Sequence, residues 1–159
     1  MTTAGIGWDS HRLVAGRALI LGGVTIPHER GLEGHSDADV LAHAVMDALL
    51  GAAGLGDIGQ HFPDSDERYR DADSMALLRE VVAMLAQRGL HVAHVDTTVL
   101  MERPKLGPAR DAIRASLAEG LGVDAEHVNV KATTGEGVGF VGRQEGVAAL
   151  AVATLRRER

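Results

Sequence analysis

Three groups of residues have types and spacings that can do chemistry. The first is Asp9-Ser10-His11. Residues i and i+2 of an extended strand project to one side, so the Asp9 carboxylate and the His11 imidazole face a common point, as a pair of zinc ligands would. A rim Asp accepting backbone N–H groups beside a surface His is the plainer account. The second is His43, four residues after Asp39 and four before Asp47, so that the three share one helical stripe. It reads either as a core histidine whose tautomer a carboxylate holds, or as a metal ligand with a carboxylate behind it. Asp9, His11 and His43 together would give three ligands and an open fourth position, the format of catalytic rather than structural zinc. The chain has no Cys, which excludes thiolate zinc sites, disulfides and Cys nucleophiles.

The third group is Lys131-Ala132-Thr133-Thr134-Gly135-Glu136, followed by Gly137, Gly139, Phe140, Gly142 and Arg143. A strand runs into a glycine-rich loop whose backbone N–H groups and Thr hydroxyls can crowd around an anion. Glu136 would repel a phosphate directly but can hold a divalent cation that phosphates also bind. An ordinary glycine-rich hairpin is the alternative. A P-loop is excluded, since no Gly-Lys-Ser/Thr and no helix follow. Upstream, Met101-Glu102-Arg103-Pro104-Lys105-Leu106-Gly107 ends a strand before a helix start at Pro108. Helix N-termini attract anions and Lys105 precedes this one, although a plain strand-to-helix connection fits equally.

These groups need elements to position them. Residues 4–9 and 18–26 read as strands, with Gly22-Gly23 a bend or bulge. Arg12 to Arg17 reads as a loop, which puts the Asp9–His11 pair at a sheet rim. Ser36 and Asp37 open a helix whose apolar positions, Val40, Leu41, Ala44, Val45, Ala48, Leu49 and Ala52, recur at period 3.6. Ser36 with Asp39 forms the pattern of a capping box, and Gly54 is a natural stop. Residues 57–72 are polar and read as a loop. A second helix covers about 74–88, ended by Gly89, then a strand over 90–101. A third helix from Pro108 stops at Gly122, with Ile113, Leu117 and Leu121 inward. Strands follow at Val128 to Thr133 and Val147 to Leu155. The order ββ-α-α-β-α-β-β predicts an α/β fold of the α+β type, a mixed four- or five-stranded sheet with helices on one face.

The chain has 159 residues, a single domain over 1–159. Aromatic residues make up 3%, so the apolar 45% is mostly Ala, Val and Leu. Such a core gains less per residue than an aromatic one, and further burial through subunit association is expected. A net charge of −6 with no basic stripe argues against nucleic acid as a partner. No apolar run approaches 18 residues, which argues against a membrane span. The first residues lack the basic and apolar regions of a secretion signal, and a cytoplasmic location is expected.

Taken together, these segments resemble the 2-C-methyl-D-erythritol 2,4-cyclodiphosphate synthases. The resemblance is carried by Gly7-Trp8-Asp9-Ser10-His11, Gly22-Gly23-Val24-Thr25-Ile26-Pro27, Gly34-His35-Ser36-Asp37-Ala38-Asp39, Leu55-Gly56-Asp57-Ile58-Gly59, Phe62-Pro63-Asp64-Ser65-Asp66 and Lys131-Ala132-Thr133-Thr134. It covers essentially the whole chain. It implies an enzyme, a phosphorus–oxygen lyase of the non-mevalonate isoprenoid pathway. The 2-phosphate of 4-diphosphocytidyl-2-C-methyl-D-erythritol 2-phosphate would attack the β-phosphate and release CMP.

The resemblance also implies residue roles. Asp9, His11 and His43 would bind zinc, and Glu136 a second cation, magnesium or manganese. His35 and Ser36 would sit in a mobile loop over the substrate, and His35 with Thr134 would stabilise the transition state. Asp9, Ser10 and His11, with Asp57, Ile58, Gly59, Phe62, Pro63, Asp64, Ser65 and Asp66, would line the erythritol and 2-phosphate pocket. Met101, Glu102, Arg103, Pro104, Lys105, Leu106 and Gly107, with Ala132, Thr133, Thr134, Gly135, Glu136, Phe140 and Arg143, would hold the cytidine diphosphate. A homotrimer with sites between subunits is implied. Trp8, Phe140 and Arg143 would line its central cavity, which would admit isoprenoid diphosphates. Two departures stand out: Trp8 replaces a frequent Phe, and Gly135 stands where a hydroxyl residue is common. A non-catalytic metal-binding trimer sensing isoprenoid diphosphates is the alternative, and a generic zinc phosphohydrolase a further one.

Overall fold

The structure is a computed structural model and describes residues 1–158. Its seven strands are β1 (Thr2–Ala15), β2 (Leu19–Leu21), β3 (Val24–Ile26), β4 (Arg30–Leu32), β5 (Leu90–Leu100), β6 (Val128–Thr133) and β7 (Gly146–Arg157). Five of them form one sheet in the order β4-β1-β7-β5-β6, and β2 and β3 form a separate hairpin. All neighbours are antiparallel except β5 and β6. That parallel pair needs a crossover, supplied by the helix α4 (Arg110–Leu121). With α1 (Val40–Ala53) and α3 (Ser74–Ala86), α4 covers one face of the sheet: α1 lies on β1 and β7, α4 on β6, and α3 between the two helices. Short helices α2 (Ile58–His61) and α5 (Gly139–Gly142) sit in the connecting loops. Among the described residues no helix is long and apolar enough to cross a membrane.

The expected sheet and the one-sided helix layer are present, with local differences. β1 continues through Arg12 to Ala15 instead of ending at His11, because its last residues pair with β4, a strand too short to stand out by periodicity. The segment 18–26 is a hairpin, with Gly22 and Gly23 at φ +57° and +79°. Two successive positive φ values make a tight turn whose twist matches paired strands. The helix α1 starts at Val40, not at Ser36. Asp39 is its N-cap, accepting from the Ala42 N–H at 3.0 Å, so the Ser36–Asp39 capping box does not form. The expected stops hold: Gly54 and Gly122 close α1 and α4 in the left-handed conformation. Pro108 lies in a 3₁₀ turn (Gly107–Ala109) that leads into α4.

One packing detail decides the position of the site. Gly5 and Gly7 face α1 from β1. A Cβ on Gly7 would come 1.8 Å from the Ala44 carbonyl oxygen, and one on Gly5 2.1 Å from that of Ala48. The helix backbone therefore rests directly on the strand backbone. The neighbouring positions of β7, Ala149, Ala151 and Ala153, are small and buried on the same side. This accounts for Gly5 and Gly7 and for the alanines opposite them: small side chains let α1 lie close to the sheet.

Candidate metal centre and active site

Asp9 and His11 alternate with Gly7 along β1 and point, like it, toward α1. The close helix delivers His43 to them. His11 Nε2 and His43 Nδ1 lie 2.8 and 3.0 Å from the same Asp9 oxygen, Oδ2, and 3.2 Å from each other. Among the described residues this is the one group of three ligand-type side chains close enough to share an ion.

The outer nitrogens show which atoms are free. His11 Nδ1 donates to the Glu33 carbonyl at 2.9 Å, which leaves its Nε2 bare. His43 Nε2 faces Ser74 Oγ at 2.9 Å, and that hydroxyl donates its hydrogen to Asp37. It accepts from the imidazole, and His43 Nδ1 is bare in turn. Two lone pairs and a carboxylate oxygen thus converge with no hydrogen between them. That donor set fits a divalent cation of the zinc type, held by three protein ligands. Without a cation, a proton can stand in its place on a nitrogen facing Asp9. Burial pushes the Asp9 carboxyl up, but in that protonated state hydrogen bonds from His11 and His43 outweigh it and hold the group at about 2. Burial lowers the pKa of His11, and the Asp9 carboxylate more than reverses this, leaving it above its ordinary value.

The stripe expected to support His43 does other work. Asp39 is fully buried and accepts from Gly22 N–H (2.8 Å), Gly23 N–H (2.7 Å) and Ala42 N–H, tying the β2–β3 turn to the start of α1. Burial pushes its carboxyl up to about 6 against the pull of these donors. Asp47 accepts the Ile58 N–H at 2.8 Å and so places α2.

A cavity of ≈ 440 Å³ opens over the three ligands. His35, Ser36, Ile58, Gly59, Phe62, Pro63 and Asp64 line it, with Met46, Tyr69 and Leu77, which the sequence reading did not single out. Tyr69, the chain's one Tyr, packs edge-on against Phe62 with ring centres 5.4 Å apart. Four expected pocket residues are elsewhere. Ser10 points to the opposite sheet face, beside Arg12, Phe140 and Glu145. Asp57 caps α2, Asp66 caps a 3₁₀ turn and pairs with Arg68, and Ser65 is exposed. None of the four lines the cavity.

A second cavity, of ≈ 430 Å³, is lined by Met101, Glu102, Pro104, Lys105, Leu106 and Gly107 from one loop and by Ala132, Thr133 and Thr134 from β6 and beyond. Arg103 is exposed and not among its walls. Glu136 stands outside it, exposed, at φ +51°. The glycine-rich loop already has an anion: Glu102 accepts the Gly135 N–H at 2.8 Å and the Gly137 N–H at 3.2 Å. Glu102 thus shapes the loop, a role its place in the Met101–Gly107 stretch does not reveal. Gly135 has a steric reason as well. A Cβ there would meet Gly142 N at 2.7 Å and the Val138 oxygen at 2.8 Å, so a hydroxyl side chain has no room in this loop conformation. Phe140 and Arg143 are not in this cavity either: Phe140 flanks the opposite face with Ser10, and Arg143 pairs with Glu145 at 3.2 Å.

The two cavities are separate within one chain. Asp9, Ala149, Val99 and Ala132 form one row across β1, β7, β5 and β6, so the metal ligands and the second cavity are three strand spacings apart, about 14 Å. A larger hollow of ≈ 780 Å³, beside Leu90 and Gly122, has His91, Glu119, Asp124, His127 and Glu158 in its lining, but among the described residues no three of them lie close enough to share an ion.

Known proteins extend this picture. The chain matches the YgbB family over residues 2–156. It is 61% identical to 2-C-methyl-D-erythritol 2,4-cyclodiphosphate synthase of Salinibacter ruber, over 96% of this chain and 97% of that one. The bifunctional IspDF of Campylobacter jejuni has a region of the same fold, with TM-score 0.96 and 42% identity, covering 99% of this chain and 43% of that one. A solved 2C-methyl-D-erythritol-2,4-cyclodiphosphate synthase with CDP bound superposes with TM-score 0.89 and 40% identity, over 96% and 99% of the two chains. The chain belongs to the YgbB family, whose relatives here are 2-C-methyl-D-erythritol 2,4-cyclodiphosphate synthases.

Proposed function

We infer that this chain converts 4-diphosphocytidyl-2-C-methyl-D-erythritol 2-phosphate to the 2,4-cyclodiphosphate and CMP. An oxygen of the 2-phosphate bonds to the β-phosphorus, an eight-membered ring closes, and the bond from that phosphorus to the CMP oxygen breaks. The observation that carries this reading is the set of three bare donors, Asp9, His11 and His43, at the floor of a cavity walled by His35, Ile58 and Phe62.

The nucleophile is already an anion, so no general base has to create it. The barrier lies in bringing two anionic groups together, and the catalytic contribution is positioning and charge stabilisation. Asp9, His11 and His43 would hold zinc, which polarises a phosphoryl oxygen when bound. Glu136 carries no hydrogen-bonded partner on its carboxylate among the described residues, so it would be free to hold a magnesium or manganese ion, which would offset phosphate charge. The first cavity folds the erythritol and its 2-phosphate toward the metal ligands. The second, with Lys105 at its mouth, receives the cytidine and its diphosphate. His35 and Thr134 would donate to the phosphoryl oxygens on which charge builds.

A diphosphate is far shorter than three strand spacings, which supports a site that a neighbouring copy completes. A cyclic homotrimer would bring the metal half of one copy to the Thr134–Glu136 half of the next. The sheet face away from the helices suits such an interface: Ile6, Trp8 and Val152 are 70%, 49% and 45% exposed on it. Trp8, Phe140 and Arg143 would line the central cavity, where an isoprenoid diphosphate could be held. Phosphorus NMR of the reaction mixture tests the activity: a cyclic diphosphate with stoichiometric CMP is expected, and a linear phosphate product would mean a hydrolase instead.

A further inference from the structure

His43 is held from behind by two residues that do not line the cavity. Its Nε2 lies 2.9 Å from Oγ of Ser74, a fully buried residue in the first turn of α3. Ser74 Oγ donates to Asp37 Oδ1, and Asp37 Oδ2 accepts the Ser74 backbone N–H at 2.9 Å. A hydroxyl has one hydrogen to give. Given to Asp37, it leaves only a lone pair for His43, which must then carry its proton on Nε2. Asp37 also belongs to the loop that bears His35 and Ser36. That loop is stitched to the residues before α3 by Asp37 N–H to the Ala72 carbonyl at 3.1 Å and Asp71 N–H to the His35 carbonyl at 2.8 Å. Ser36 Oγ approaches the same His43 nitrogen at 3.3 Å, a longer contact that the loop can give up without freeing the imidazole.

We propose that Asp37 and Ser74 are positioning residues, a hydrogen-bonded chain Asp37–Ser74–His43 that fixes Nδ1 as the donor atom of the third ligand and couples metal occupancy to the geometry of the His35–Ser36 loop. The inference rests on the metal reading above. Without the Ser74 hydroxyl, His43 is free to move its proton to Nδ1. There it would bond to Asp9 and compete with the cation for the same lone pair. Asp37 would lose a buried donor in the same step, and the loop its anchor to α3.

The test starts from metal-free full-length protein and measures zinc uptake in competition with a chromophoric chelator. Ser74→Ala is expected to weaken zinc binding about 10–100-fold, the usual cost of losing a group behind a ligand. Ser74→Thr, which restores a hydroxyl, should recover most of that loss. Two further readouts separate positioning from general stability. The visible absorption of the cobalt(II) form should change in Ser74→Ala. Zinc should increase hydrogen-exchange protection over residues 33–39 in the wild type and not in the variant. Asp37→Asn, which can accept only one of the two Ser74 donors, should shift all three readouts the same way by less, and serves if Ser74→Ala does not fold. Wild-type zinc affinity and zinc-dependent protection in Ser74→Ala, or a Thr variant no better than Ala, would overturn the proposal. A wild-type protein that takes up no zinc would overturn the metal reading itself, so the two failures are distinguishable.

Discussion

Two bare imidazole nitrogens 3.2 Å apart repel each other unless something positive stands between them. Around Asp9 that can be a proton or a cation, and the two compete for the same lone pairs. The Asp9 carboxylate holds the His11 pKa above its ordinary value. In the metal-free protein His11 therefore gains its proton at a higher pH than a free imidazole does. Zinc affinity should accordingly fall as pH drops through that raised value, and zinc uptake should release more protons at pH 6.5 than at pH 8.5. Calorimetric titration in buffers of different ionisation heat measures this directly, and equal release at both pH values would mean that His11 is not a ligand. His43→Ala should remove one of three ligands and abolish most zinc binding while the metal-free fold persists, because the rest of the buried surface of α1 is untouched; elemental analysis of the purified variant checks it. The three candidate ligands can be picked out in the sequence, Asp9 and His11 by strand periodicity and His43 by interrupting an apolar helix, but spacing leaves plainer readings open and the family resemblance is what favours a metal. Their partners cannot. Glu33 and Asp37 come from the loop between β4 and α1, and Ser74 from α3, and no helical or strand period relates them to the ligands they hold.

At the scale of elements, the ligands meet because α1 lies on β1 without intervening side chains. Gly7→Ala should force that contact apart, since the added methyl would sit 1.8 Å from the Ala44 carbonyl oxygen. Overpacking commonly costs about 1–3 kcal/mol, and a rigid backbone contact belongs at the upper end. For a chain of this length that is a melting temperature lower by about 6–12 °C. His43, next to Ala44, should move with the helix, so zinc affinity should fall as well; a variant with both values unchanged would show that the contact can relax. Asp39 gives a pH dependence of its own. Complete burial raises its folded-state pKa to about 6, well above the ordinary aspartate range. The folded protein therefore binds a proton there more readily than the unfolded chain. The contribution of this group to stability is greatest at low pH and declines as pH rises from about 4 to 6. Asp39→Asn cannot titrate, so its deficit against the wild type, measured by urea unfolding, should be larger at pH 5 than at pH 7. Helix periodicity announced α1, α3 and α4, and the glycine stops of α1 and α4; α3 ends earlier than Gly89, at Ala86 with Gln87 as its cap. Periodicity could not show that the first cap is Asp39 rather than Ser36. Both residues have capping side chains, and the choice is made by the distant N–H groups of Gly22 and Gly23. Nor could it show β4, whose three residues carry no period.

At the scale of the whole molecule, the helix-free sheet face and the divided site make the same demand. Ile6, Trp8 and Val152 leave apolar surface uncovered, and Asp9 lies three strands from Ala132 in the same row of the sheet. In a cyclic trimer every interface is heterologous: one copy presents its metal half and the next its nucleotide half. Asp9→Ala damages only the first half and Glu136→Ala only the second, so each homotrimer should be inactive. When the two variants are mixed equally, dissociated under mild denaturant and reassembled at random, each site draws its halves from two different copies. The chance that both are intact is about one half at each side, or about one in four sites, from independent choice across a heterologous interface. Reassembled mixtures should therefore regain roughly a quarter of wild-type turnover, while either variant taken alone through the same procedure stays inactive. Native mass spectrometry establishes that mixed trimers have formed. If they have and turnover stays absent, each site lies within a single chain, and the separation of the two cavities must be closed by movement of the 134–146 loop rather than by a neighbour.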